Sequence, residues 1–178
     1  MLLTFKNNRL SKLFFLSILA LGLAGCVSTN AQDEQVINST IEKYESCRAD
    51  AQIMETSAQQ TASTAQYLAS ARAMDNCVSY AREQRISHLN HQDIMQMMAI
   101  STFNYIKGGD VISADKMIVK FKQQFPRKDL YFANHTSFLD TATALIKANE
   151  LSIFELSSLN ISSVVKSEIE RKNYWLTH

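Results

Sequence analysis

The sequence predicts an all-α protein built from helical hairpins, about five to six helices in number. Three observations carry that expectation. First, turn-forming residues are scarce: the four glycines are Gly22, Gly25, Gly108 and Gly109, and Pro126 is the single proline. A sheet of several strands needs many turns rich in Gly, Pro and Asn, and this chain does not supply them. Second, apolar residues recur at spacings of three and four over long stretches, the signature of one helical face. Third, Cys47 and Cys77 lie on two such stripes at equal distances from the small-residue stretch around Ala62.

The first 25 residues differ from the rest. Lys6, Arg9 and Lys12 stand there with no acidic residue, and a mostly apolar run from Leu13 to Ala24 follows. A spanning helix needs roughly 20 apolar residues, and this run is shorter. It reads as a secretory signal over 1–25, removed from the mature chain. Its end, Leu23-Ala24-Gly25-Cys26, resembles the lipobox of bacterial lipoproteins at all four positions. The resemblance implies that Cys26 becomes the lipidated N-terminus, carrying diacylglycerol and an amide-linked chain such as palmitate. Several acyl chains hold a protein stably on a bilayer, whereas one does so marginally. Val27 and Ser28, in place of an Asp after the cysteine, imply the periplasmic face of the outer membrane. The competing reading is a plain secretory signal with a coincidental cysteine.

Removing 1–25 leaves 153 residues, enough for one domain with a single core. The leader holds three of the 18 basic residues and none of the 17 acidic ones, leaving 15 against 17. That balance gives no electrostatic footprint for nucleic acid. The polar, aperiodic stretch from Val27 to about Glu34 reads as a lipidated tether over 26–35, followed by one helical domain over 36–178.

The first helix is expected through Ile37, Ile41, Tyr44, Cys47, Ala51, Met54 and Ala58, and the second through Tyr67, Ala71, Met74, Cys77 and Ala81. Between them, Ala58 to Ala65 is Ala, Ser, Thr and Gln, suited to a reversal. If the chain turns there, two antiparallel helices bring Cys47 and Cys77 level and a disulfide clasps the hairpin. One continuous helix would instead hold them about 45 Å apart and leave two thiols. Once Cys26 is given to lipid, an even pair in an oxidising compartment favours the bond. Their spacing fits neither a Cys-x-x-Cys redox pair nor a zinc site.

Ser87 to Asp93 forms a polar connector in which Asn90 can cap the next helix and Asp93 lies in its first turn. His88 and His91 invite a metal reading, but two histidines at a helix boundary without a clear third ligand beyond Asp93 read as exposed connector residues. No metal site and no cofactor are expected.

The segment 95–127 resembles one tetratricopeptide repeat, a 34-residue helix-turn-helix unit. Tyr105, Gly109, Ala114 and Pro126 fall on that family's tyrosine, turn-glycine, packing-alanine and closing-proline positions. Met98, Ser101 and Thr102 depart from its Trp and Leu-Gly positions, and the next window lacks a turn glycine and a closing proline. The resemblance implies that Gln96, Ala99, Phe103, Ile106 and Lys107 face a concave peptide-binding side. The alternative is that Phe103 and Ile106 pack on a neighbouring hairpin.

Beyond Arg127, a helix is expected from Asp129 to about Ala148, with Phe132, Phe138, Leu139, Ala142 and Leu145 on one face. Leu151 to Asn160 reads as a connector, and a last helix runs from about Ile161 to Tyr174-Trp175-Leu176. This cluster holds the sole tryptophan. Tyr174 and Trp175 can anchor a partner or touch a bilayer interface, or the tail can fold back on the core.

No nucleophile elbow, phosphate-cradling loop, dinucleotide fingerprint or His-Glu-x-x-His is present. A cysteine–histidine nucleophile using His135 would need a free thiol at Cys47 or Cys77. The chain is therefore read as a non-enzyme: a periplasmic helical adaptor held by lipid on Cys26, with an envelope protein as partner and no small-molecule substrate. The candidate partner-binding residues are Gln96, Phe103, Lys107, Tyr174 and Trp175. Pilotins and assembly-factor lipoproteins resemble it in class alone. The alternatives are a structural or stress lipoprotein acting on envelope integrity or peptidoglycan, and an enzyme with an unfamiliar site.

Overall fold

The computed structural model describes residues 28–86 and 89–177. Among them the structure is helical, in the order α1 (Ser28–Thr61), α2 (Thr64–Glu83), α3 (His91–Lys107), α4 (Val111–Gln124), α5 (Phe138–Ile146), α6 (Ile153–Ser158) and α7 (Ser163–Thr177). The chain divides into two compact units, Met1–Ile41 and Glu42–His178. The signal segment and Cys26 lie outside the described residues.

In the first unit the described part is the opening of α1. Residues 28–35, expected as an irregular tether, are helical. Nothing there breaks a helix: Ala31, Gln32, Glu34 and Gln35 are good helix formers, and no glycine or proline occurs between Gly25 and Gly108. Glu34 to Ser39 are exposed, including Val36 and Ile37, so this turn of α1 buries no face.

The second unit begins with the disulfide-clasped hairpin. Thr61 ends α1, Thr64 starts α2, and Ala62 between them takes a left-handed φ of 50°. The chain thus reverses at the centre of the small-residue stretch. Cys47 and Cys77 are disulfide-bonded with Cα atoms 5.7 Å apart. Tyr44, Ala51 and Ala58 of α1 are buried, but the stripe departs from apolar periodicity at one place: Met54 is exposed and Glu55 is buried. On α2 the inward residues are Ala71, Met74, Cys77, Val78 and Ala81, with Ser70.

Asn90 caps α3, accepting from the Gln92 amide at 3.0 Å, and Asp93 lies in the first turn. Helices α3 and α4 form the hairpin read from 95–127. Gly109 takes φ 78°, and Asp110 caps α4 by accepting from the Ser113 amide at 3.0 Å. Gly108 serves a different purpose: a Cβ there would stand 2.4 Å from Leu68 Cδ2 of α2. Ala114 is fully buried, and α4 stops at Gln124, just before Phe125-Pro126. Ser101, where the repeat family has leucine, donates to the Ala71 carbonyl of α2 at 2.9 Å. That departure ties α3 to α2.

The helix expected from Asp129 is not formed until Phe138. Residues 129–137 make a tight loop instead, with a bridge between Tyr131 and Ser137 and His135 at φ 64°. Local side-chain bonding wins over apolar spacing here. Asp129 accepts from the Leu130 and Leu139 amides and from the Ser137 hydroxyl, and Asn134 accepts from the Thr136 amide and hydroxyl. Ser137 then caps α5. Phe138 still reaches the core, where its ring lies 5.0 Å from Phe121 and 5.7 Å from Phe103.

The 151–160 stretch, expected as a connector, contains α6. Ser152 and Glu155 bond reciprocally as a capping box at its start. Helices α5, α6 and α7 gather around a satellite core of Ala144, Ala148, Leu156 and Ile169, distinct from the main core of α1 to α5. Asn160 joins it to the 129–137 loop, donating to the His135 carbonyl at 3.0 Å and accepting from the Ser137 amide at 2.9 Å.

Candidate functional site

The candidate residues fall into separate places. Gln96 and Phe103 line a shallow depression of about 310 Å³ between α3 and the 129–137 loop, with Ile100 and exposed Tyr131 on its walls. Phe103 is half-buried there, its ring 5.9 Å from that of Phe132. Ala99 is buried and Ile106 packs on the core. Phe103 therefore belongs mainly to the packing of α3 against the 129–137 loop and the start of α5. Lys107 does not join this depression. Its ammonium lies 4.8 Å from the ring centre of Tyr67 on α2, a cation–π contact that holds the side chain against the disulfide-clasped hairpin.

His91 packs edge-on to Phe125 at 5.7 Å, and residue 88 lies outside the described residues. His135 is exposed in the loop rather than helical, and the disulfide leaves neither Cys47 nor Cys77 as a thiol. Neither Cys47 nor Cys77 can therefore serve as a nucleophile beside His135. Among the described residues no group of three His, Cys, Asp or Glu is arranged to hold a metal ion.

A larger groove with apolar walls lies in the satellite lobe. A groove of about 530 Å³ runs between α6 and the end of α7, walled by Leu151, Ile153, Leu156, Tyr174 and Leu176. Its construction follows from the sequence. The capping box fixes the start of α6, so that Leu156 turns into the satellite core while Ile153 and Phe154 stay in solvent, 77% and 83% exposed. On α7, Ile169 anchors the helix, and Asn173 donates to the Ala148 carbonyl at 2.8 Å. The last turn then projects Tyr174, Trp175 and Leu176, each more than half exposed. The Tyr174 and Trp175 rings meet edge to face at 5.5 Å.

The tail is thus not tucked onto the core. Ile153, Tyr174 and Leu176 line the groove and are largely exposed, and Phe154 and Trp175, next to them in sequence, stand in solvent as well, a concentration that soluble surfaces rarely carry without a use. Tyr174 and Trp175 were legible as an aromatic cluster; Ile153 at the groove, exposed Phe154 beside it and Glu170 were not. The signal for the first two is the Ser152-x-x-Glu155 capping box, which marks a helix start.

Comparison with known proteins adds no relative: no protein-family model matches the chain, and no similar curated protein or solved structure is found.

Proposed function

We propose that the chain is a non-catalytic adaptor, anchored by lipid on Cys26 at the periplasmic face of the outer membrane, that binds another envelope protein through its C-terminal lobe. The observation that carries this reading is the open groove lined by Ile153, Tyr174 and Leu176, with Phe154 and Trp175 exposed next to them in sequence. Side chains of this kind supply most of the energy in protein interfaces, with tyrosine and tryptophan prominent among them. Two further features support the address. The Cys47–Cys77 bond suits an oxidising compartment. None of the described helices is long and apolar enough to cross a membrane, so the lipobox cysteine is the anchor this reading relies on. In this reading the α3–α4 hairpin, with its tetratricopeptide-like turn, is a scaffold that carries the lobe.

The test is purification of the tagged chain from detergent-solubilised envelopes. The reading expects palmitate labelling that depends on Cys26, and one envelope protein recovered at constant ratio, lost in Cys26→Ala. An unlabelled chain, or a monomer without companion, would sink it.

A further inference from the structure

The groove between α6 and α7 has a charge character as well as an apolar one. Among the described residues no lysine or arginine lines it, while Glu170 does. Of the charges nearby in sequence, Arg171 pairs with Glu168 at 2.7 Å and Glu155 is held in the capping box by Ser152, while Lys166 and Lys172 do not line the groove. The Glu170 carboxylate makes no ion pair or hydrogen bond among the described residues. An apolar trough with one uncommitted negative charge on its edge discriminates against anionic ligands, whether fatty acids or acidic headgroups.

The backbone of an occupant must also be satisfied. The groove offers no strand edge to pair with, and its polar side chains are largely in use, Ser152 in the capping box and Asn173 on the Ala148 carbonyl. An extended peptide would leave its own amides and carbonyls unpaired against apolar walls, at a cost comparable to a lost hydrogen bond for each. A helix satisfies them internally. A volume of about 530 Å³ takes a few large apolar side chains from one helical face.

We infer that this groove receives an amphipathic helix of the partner protein, apolar on its buried face and carrying a lysine or arginine placed to meet Glu170. The inference rests on the adaptor reading and specifies its partner's chemistry.

Trp175 is the only tryptophan in the chain and adjoins Tyr174 on the groove wall, so its emission reports occupancy. The full chain is held in phosphatidylcholine nanodiscs and titrated with three labelled peptides of roughly 18 residues, long enough to be helical. One has a leucine face flanked by lysines, one has the same face flanked by glutamates, and one scrambles the first. The lysine helix is expected to bind, shift Trp175 emission to the blue, and bind roughly three- to tenfold more tightly than the glutamate helix. Glu170→Lys should reverse that order, and Ile153→Asp should abolish both interactions while leaving the helical signal unchanged. Equal binding of the two helices by the native chain and Glu170→Lys overturns the inference. So does binding of the scrambled peptide, or quenching of Trp175 by brominated lipid without peptide, which assigns the face to the bilayer. An envelope complex that persists in Ile153→Asp and Glu170→Lys also overturns it while leaving the adaptor reading standing.

Discussion

Glu55 of α1 accepts a hydrogen bond from Asn104 of α3 inside the helical body, with Ser70 of α2 joined to both. Gln59 donates to the other carboxylate oxygen at 2.7 Å. Three helices thus share one buried polar group in an otherwise apolar interface. Removing one member leaves the rest desolvated and unpaired, whereas replacing them together restores an apolar contact. Asn104→Leu should cost about 2 to 4 kcal/mol in urea unfolding. The double variant Glu55→Met with Asn104→Leu should cost clearly less than the sum of its singles. Additive losses would mean that the cluster does not act as a unit.

The disulfide closes a separation of 30 residues. In the chain-entropy account such a loop stabilises by about 3 to 4 kcal/mol. The Cys47→Ser, Cys77→Ser double variant should unfold at lower urea by that amount, and reductant should bring the native chain to nearly the same midpoint. Because Cys77 is fully buried and Cys47 partly exposed, Cys77→Ser alone should be the more damaging single change. Reductant without effect would contradict the clasp.

Turn positions separate backbone strain from space. Ala62 holds φ 50° in solvent, so Ala62→Gly should stabilise by up to about 1 kcal/mol. Gly109→Ala should destabilise by about 1 kcal/mol from φ alone, since nothing stands near its missing Cβ. Gly108→Ala meets Leu68 instead, and should cost about 1 to 3 kcal/mol. Leu68→Ala in the Gly108→Ala background should recover part of that loss. Thermal unfolding of the four variants checks the order.

These positions also show how far the sequence reads into the fold. The reversal at Ala62 was legible because two cysteines on inward stripes lie equally far from it. The Gly109-Asp110 turn, the Asn90 cap and the stop before Pro126 each rest on a residue with one strong local preference. Glu55 was hidden because apolar periodicity counts Met54 beside it, and nothing local says that a carboxylate will find Ser70 and Asn104 15 and 49 residues away. The 129–137 loop was hidden for the opposite reason. Phe132, Phe138 and Leu139 fit a helical face, while Asp129 and Asn134 form local bonds that a helix would forbid. The groove depends on α6, a helix too short to show a period.

Acid should loosen the turn of the second hairpin. The Ser113 backbone amide, and then its side chain, hold the Asp110 carboxyl below the ordinary carboxylate range. A carboxyl depressed in the folded state contributes stability above its unfolded value, near pH 4, and loses it as pH falls through the folded value. The melting temperature should therefore drop below about pH 4, and Asp110→Asn should show a shallower drop. An unchanged acid slope in that variant would remove Asp110 from the account.

The proposed binding of an envelope partner by the C-terminal lobe can be probed in place. A photo-crosslinking side chain placed at position 153, beside the groove, tests it most directly in living cells, with position 112 on α4 as control. Ile112 is 71% exposed and distant in sequence from the lobe. One discrete adduct is expected from position 153, none from 112, and the adduct should be lost in Cys26→Ala. No adduct at 153, or the same adducts from both positions, would contradict it.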